Sequence, residues 1–194
     1  YENITKAVFL ARPNRFIAEV ELNGHKERVH VKNTGRCREL LIPGCEVWLT
    51  APGTPGRKTT YDLVAVRKAN GVLFNIDSQA PNHVVKEWLG KQGFDRVLPE
   101  YRYGDSRMDF YMERGQERFL LEVKGCTLEI DGVGYFPDAP TQRGVRHIRE
   151  LMRARAEGIH AALAEAEKAG VEIWFLRCHV EPDSLRIVDE EQQP

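Results

Sequence analysis

Asp109 stands in Arg107-Met108-Asp109-Phe110-Tyr111, and Glu122 and Lys124 stand in Leu120-Leu121-Glu122-Val123-Lys124. Both stretches read as strands, joined by the tight turn Arg114-Gly115-Gln116-Glu117. Side chains alternate along a strand, so Glu122 and Lys124 project from one face. Asp109 on the neighbouring strand lies across from them. Two carboxylates and one ammonium then meet at a point. Phosphodiester hydrolysis needs such a set. Carboxylates hold Mg²⁺ or Mn²⁺ through hard oxygen ligands, and the metal polarises the phosphate and acidifies a bound water. The lysine orients or deprotonates that water and offsets charge at the transition state. The Val123 carbonyl is a further candidate ligand. Glu100, in Leu98-Pro99-Glu100-Tyr101, is a candidate third carboxylate for the metal.

Glu-x-Lys alone is a weak signal, and a solvated surface ion pair between Glu122 and Lys124 is the competing explanation. The apolar flanks Phe119-Leu120-Leu121 and Val123 weigh against a fully solvated strand. Asp109 and Glu122 are also a carboxylate pair of the kind used on acyl or glycosyl substrates, but the adjacent lysine fits phosphoryl chemistry better. Ser106 has no nucleophile elbow or Ser-His-Asp order around it. Arg107, two residues before Asp109, shares its face and can neutralise a phosphate or a carboxylate.

The elements that must position these groups change character along the chain. Residues 1–82 read as short strands: 15–22 with Phe16, Ala18, Val20 and Leu22 on one face, then 27–31, 46–51, 61–66 and 72–77. Asn23-Gly24 is a hairpin signal. Residues 52–58 are rich in Gly and Pro and read as a loop. About five strands in this span predict a small barrel. An OB-like barrel fits, and periodicity does not separate it from an SH3-like one. Residues 83–194 read as a helix over 83–93, strands over 96–102, 107–113 and 118–124, and a ragged strand or loop over 127–136. A long helix over 141–169 follows, then a buried strand over 172–178 and a frayed acidic tail. The long helix carries an apolar stripe that includes Val145, Ile148, Leu151, Met152, Ile159 and Leu163.

Of 194 residues, 42% are hydrophobic and 29% charged, ordinary for a packed domain or two. No apolar run approaches the roughly 18 residues that span a bilayer, and the first residues hold no apolar signal segment. Cys37, Cys45, Cys126 and Cys178 form no Cys-x-x-Cys pair, so reduced thiols and a cytoplasmic location are expected. Net charge is +4 over residues 1–82 and -5 over 83–194. That asymmetry fits two parts with different tasks.

Basic residues cluster in two places. Arg143, Arg146 and His147 open the long helix, where free N–H groups favour a phosphate. Arginine there opposes the helix dipole unless an anion is near. The alternative is a charged face paired with Glu150 and Glu157. In the barrel, Arg12, Arg15, Arg36, Arg57 and Lys58 sit near turns, with Phe16 and Trp48 close in sequence. Cations and aromatics in a groove hold single strands on OB folds, although both aromatics also suit a core. Arg57-Lys58 in the Gly/Pro loop is expected to act as a flexible phosphate clamp. His147 can equally reach the acidic site. No helix-turn-helix is visible, which weighs against a sequence-specific transcriptional regulator.

Several blocks together, Arg12-Pro13-Asn14-Arg15-Phe16, Asn33-Thr34-Gly35-Arg36, Tyr103-Gly104-Asp105-Ser106-Arg107-Met108-Asp109-Phe110, Leu121-Glu122-Val123-Lys124 and Phe136-Pro137-Asp138-Ala139-Pro140-Thr141-Gln142-Arg143-Gly144, resemble the signature of the sugar fermentation stimulation protein A family. The resemblance runs over nearly the whole chain. It implies an α+β two-domain protein: an OB-like nucleic-acid-binding β-barrel over 1–82 and an α/β restriction-endonuclease-like PD-(D/E)XK domain over 83–194. It also implies DNA binding without strong sequence preference, with a catalytically silent binding protein or a regulator as alternatives. The superfamily pattern falls on Asp109, Glu122 and Lys124, with Glu100 as the upstream acid. Met108 stands where that pattern has proline, and Pro137-Asp138 comes too late to fill the place. Many enzymes of the superfamily cut as dimers, so a homodimer is one option and the oligomeric state is left open.

Overall fold

The computed structural model describes residues 1–130, 133–135, 142–162 and 174–192. Two compact units emerge: Tyr1–Ala80 with Gly125–Phe136 and His179–Arg186, and Pro81–Lys124 with Pro137–Cys178 and Ile187–Pro194. Among the described residues no helix is long and apolar enough to cross a membrane.

The first unit is built on six strands: β1 (Ile4–Asn14), β2 (Ile17–Leu22), β3 (His25–Val31), β4 (Glu46–Thr50), β5 (Asp62–Arg67) and β6 (Leu73–Asn75). They run in the order β3-β2-β1-β4-β5-β6, and a parallel pairing of β3 with β5 closes the sheet into a barrel. The closing pairs are His30 with Asp62 and Val31 with Leu63, and β6 lies outside them on β5. Inward Phe9, Val20, Val29, Leu49, Leu63 and Ile76 fill the interior. Asn23 and Gly24 turn with φ of 51° and 77°, the paired positive values of a type I′ hairpin.

Two details depart from the sequence expectation. β1 is a full strand where none was read. It pairs with β2 on one side and β4 on the other, and its register shifts near Phe9, Ala11 and Asn14. These irregularities and the polar Arg12-Pro13-Asn14 hide the period-2 pattern. Phe16 does not share the inward face of β2. Arg15 and Phe16 form the β1–β2 turn, and Phe16 is 44% exposed.

The second unit opens with α1 (Ala80–Leu89), followed by β7 (Arg96–Tyr103), β8 (Ser106–Arg114) and β9 (Glu117–Leu121). After the hairpin β10 (Leu128–Ile130) and β11 (Val133–Tyr135) come α2 (Gln142–Ala156) and β12 (His160–Ala162). The sheet order is β12-β9-β8-β7, with β12 parallel to β9 and the rest antiparallel. One face packs Phe110, Met112 and Leu121 against Val85 and Leu89 of α1. The other packs Met108, Tyr111 and Leu120 against Leu151 and Ala154 of α2. β13 (Trp174–Val180) and β14 (Leu185–Gln192) form a separate pair.

The helix expected over 141–169 stops at Ala156. Gly158 has φ of 78°, its N–H bonds the Arg155 carbonyl, and the Ile159 N–H bonds the Ala154 carbonyl. This is a Schellman ending, with Ile159 packed beside Ala154. Ile159 therefore belongs to the stripe's cluster without being helical. Val145 and Met152 are exposed, so the buried face of α2 runs instead through His147, Leu151 and Ala154. Leu163 and Ala166 lie outside the described residues, as do Thr141 and the Asp131-Gly132 and Pro137-Asp138 pairs. The acidic segment 189–191 is strand β14, not a frayed tail. In β13, Leu176 is half-buried while Arg177 and Cys178 are exposed, so that strand is not buried on both faces.

Candidate functional site

Asp109 sits in the middle of β8, where alternation fails. Met108 and Tyr111, three apart, join the α2-side cluster, while Phe110 and Met112 join the α1-side cluster. Opposite Asp109 in the β7 register stands Glu100, whose φ is 56°. Left-handed backbone at a non-glycine residue is costly and marks a local distortion of the ladder. Asp109 is left half-buried, its Oδ1 accepting from Asn82 Nδ2 on α1 at 2.8 Å.

Its other oxygen, Oδ2, accepts from the Val123 N–H at 2.7 Å. That side-chain acceptor takes the donor a continuing β-ladder would have used. β9 accordingly ends at Leu121, so Glu122 and Lys124 lie just past the strand and not within it, as the alternation had suggested. They still converge. Glu122 is 5% exposed. Its Oε1 accepts from Lys124 Nζ and lies 2.5 Å from His147 Nδ1 of α2, which is itself buried. Its Oε2 is buried with no hydrogen-bond partner.

Burial, and then the neighbouring charge of Glu122, push the Asp109 carboxyl above the ordinary aspartate range. The Val123 N–H, Asn82 and Lys124 act in the opposite direction. Two carboxylates thus share one partly dehydrated corner, with an ammonium and an imidazole beside one of them. A perturbed carboxyl beside an incompletely satisfied one makes this corner a functional-site candidate.

The remaining sequence candidates divide. Glu100 is drawn away: its carboxylate pairs with Arg107 at 2.9 Å, and both side chains are largely exposed. Among the described residues no group of three or more His, Cys, Asp or Glu is placed to hold a metal. Arg107 therefore engages Glu100 and not Asp109. Arg146 is exposed on α2, and Arg143 lies in its first turn.

In the barrel, Arg57 is no free clamp. Its guanidinium pairs with buried Asp62, which also faces His30 Nδ1 at 3.2 Å. Lys58 beside it is exposed. Arg12 donates to four backbone carbonyls, those of Arg15, Asn33, Gly35 and Arg36, so its guanidinium is a strut. Arg15 and Arg36 are exposed. Trp48 is buried with Arg67 stacked 4.9 Å from its ring centroid, a core residue as one expectation had it.

Asn82, a residue type that suits a turn as readily as a substrate contact, also contributes to the site. It follows Pro81 in the first turn of α1, a position that suits a cap as well as a ligand-holding group. Only the packing of α1 on the sheet brings it to Asp109.

Comparison with known proteins agrees with this architecture. Residues 10–76 match the family model described as the SfsA N-terminal OB domain, and residues 79–164 match the sugar fermentation stimulation protein RE domain. The sugar fermentation stimulation protein homolog of Desulfitobacterium hafniense is 48% identical, over 97% of this chain and 95% of that protein. Its counterpart in Ruminiclostridium cellulolyticum is 43% identical, over 96% of each. The structure of Pyrococcus furiosus SfsA in complex with Ca²⁺ is similar with a TM-score of 0.80 at 26% identity, covering 98% of this chain and 95% of that one. An OB-like barrel, a restriction-endonuclease-like αβββαβ unit and relatives at this identity along the whole length have one meaning: the chain belongs to the sugar fermentation stimulation protein family.

Proposed function

We propose that the protein binds nucleic acid, DNA foremost and without strong sequence preference, and that its second unit hydrolyses phosphodiester bonds with a divalent cation held by Asp109 and Glu122. One observation carries this: Glu122 Oε2 is buried without a partner next to a second carboxylate whose proton affinity its charge raises. A dehydrated anionic oxygen with no donor is costly. A hard cation relieves it, so the residues present fit such an ion. The Ca²⁺ in the Pyrococcus furiosus SfsA structure supports an oxygen-rich divalent site in this fold, and Mg²⁺ or Mn²⁺ is the proposed catalytic ion.

When bound, a divalent cation supplies Lewis-acid polarisation of a phosphate oxygen and a lowered water pKa. The chain's own groups do the rest. Asn82 and the Val123 N–H fix the Asp109 carboxylate, and His147 fixes Glu122. Lys124, on the same carboxylate but part-exposed, orients a water or offsets negative charge on the phosphoryl group in this proposal. Exposed Arg146, with Arg143, adds cations for the backbone.

A second function, binding without turnover, is favoured by the engagement of Glu100 with Arg107, which leaves two carboxylates at the site. Incubation of labelled single- and double-stranded DNA and RNA with Mg²⁺ or Mn²⁺, beside Glu122→Ala and Lys124→Ala, separates the two. Cutting that the variants reduce by about 10²-fold or more supports the hydrolase. Intact, salt-sensitive binding with no cutting leaves the binding protein. Cutting that survives both substitutions sinks this site.

A further inference from the structure

We infer that the β1–β2 turn and loop 33–36 form one preorganised platform on which a base of single-stranded nucleic acid stacks against Phe16, flanked by Arg15 and Arg36 for its phosphates. This rests on the nucleic-acid function proposed above.

The platform is held from beneath by Arg12. Its Nη1 donates to the Gly35 and Arg36 carbonyls, each at 2.7 Å, and its Nη2 to the Arg15 and Asn33 carbonyls at 2.8 and 2.5 Å. One guanidinium thus fixes two segments about 20 residues apart in sequence. Each segment is braced again on its own. Asn14 Oδ1 accepts from the N–H groups of Phe16 and Ile17 at 2.9 and 3.0 Å. The Phe16 carbonyl accepts from the Val31 N–H at 2.8 Å. Asn33 Oδ1 accepts from the Gly35 N–H at 2.7 Å, so close to Gly35 that an added Cβ would lie 2.9 Å from it.

The same fixation presents exposed side chains at the surface. Phe16 is 44% exposed, the Arg15 guanidinium lies 4.7 Å from its ring centroid, and Arg36 is exposed. A single exposed phenylalanine is ordinary. One carried on segments held by eight hydrogen bonds, with Arg15 at its ring and exposed Arg36 on the tethered loop, is a rigid aromatic surface in a cationic frame. Every base has a π-face and every nucleotide a phosphate, so that surface suits a single strand regardless of sequence. A protein partner would meet the same ring, but the positive surroundings and the net +4 of residues 1–82 favour a polyanion.

Rigid fixation matters because a preorganised ring loses little freedom on binding. Arg12 is accordingly a positioning residue: it reaches the strand only through the backbone it holds. Lysine at this position keeps the charge but cannot reach four carbonyls at once.

Fluorescence anisotropy of a labelled oligothymidylate and of an abasic strand of equal length, at two salt concentrations, tests this in the full chain. Wild type should bind the base-bearing strand about tenfold more tightly, the scale of one stacked base. Phe16→Ala should erase that preference while leaving the salt slope in place, and Phe16→Trp should keep or enlarge it. Arg12→Lys, with its fold checked by circular dichroism, should lose the preference at unchanged net charge. An equal preference in Phe16→Ala overturns the platform and leaves the nucleic-acid function standing, as does salt-sensitive binding of wild type to both strands alike. No binding to either strand overturns both. Loss of self-association in Phe16→Ala without change in strand affinity would assign the ring to a protein contact and overturn the platform.

Discussion

The two units treat their buried carboxylates differently. In the barrel, Asp62 is met by Arg57 and His30, Asp77 by Lys32, and both terminal nitrogens of Arg12 by carbonyls. Asp62 and Asp77 find their partners in the protein itself, and of Arg12 only Nε is left without one. In the second unit, Glu122 is as deeply buried, yet one oxygen has no donor and a second carboxylate stands nearby. The contrast is between carboxylates that the fold satisfies and one that it leaves with an open oxygen. It also reassigns two arginines that looked like phosphate ligands in the sequence. Arg12 and Arg57 are consumed by structure, and the exposed Arg15 and Arg36 stand out beside Arg12 because of it.

If that contrast is right, removing a satisfied charge harms the fold and removing an unsatisfied one harms binding. Arg12→Ala leaves four carbonyls without their donor and should cost about 2–3 kcal/mol, since hydrogen bonds to charged groups weigh more than neutral ones. Urea denaturation should show this loss equally with and without divalent cation. A cation-dependent loss would blur the distinction.

On the other side, His147→Leu frees the Glu122 carboxylate to turn. Mn²⁺ or Ca²⁺ affinity measured by titration calorimetry should fall about 10- to 100-fold, the usual effect of removing a group that orients a metal ligand. Asn at position 147 places an N–H close to where Nδ1 stood and should restore part of it. Equal affinity in all three proteins would place the metal elsewhere.

Ion pairs that hold the fold exist in the second unit too. Gly104 has φ of 56°, and a Cβ there would lie 2.1 Å from Arg153 Nη2, which itself pairs with Glu150. Gly104→Ala should cost about 1 kcal/mol from the backbone conformation alone, with metal affinity unchanged. A change in affinity would extend the unsatisfied region to the β7–β8 turn.

The subtlest difference is in pH. The folded-state Asp109 pKa lies above its unfolded value. Its contribution to stability is therefore present below the ordinary aspartate pKa of about 3.9 and is lost as pH rises through the folded value. Glu122→Gln removes the neighbouring negative charge, so the Asp109 titration followed by NMR should move down. A titration that stays put would mean burial alone sets it.

Much of this was legible in the sequence. The Asn23-Gly24 hairpin, the alternation of Ala18, Val20 and Leu22, and the three-strand run before α2 follow from local sterics and periodicity. Asp109, Glu122 and Lys124 were legible as a set because hairpin geometry limits where neighbouring strands can put side chains. Gly158 was legible in principle as a helix stop, but the apolar spacing running through Ile159 masked it. The β1 strand was hidden because its irregular register breaks the alternation that reveals strands.

Other features depended on residues distant in sequence. Nothing local says that Arg12 will find loop 33–36, that Arg57 will find Asp62, or that Arg107 will prefer Glu100 to Asp109. Opposite charges are interchangeable in a sequence, and distance and desolvation choose among them. The residue types and their strand periods determined that two carboxylates and a lysine would converge beside β8 and the end of β9. Only tertiary packing decided that α1 would bring Asn82 to Asp109, that α2 would bury His147 against Glu122, and that one oxygen would be sealed from water without a donor. Hydrogen bonds and burial are set by the elements that close over a site, and those elements come from the far ends of the unit.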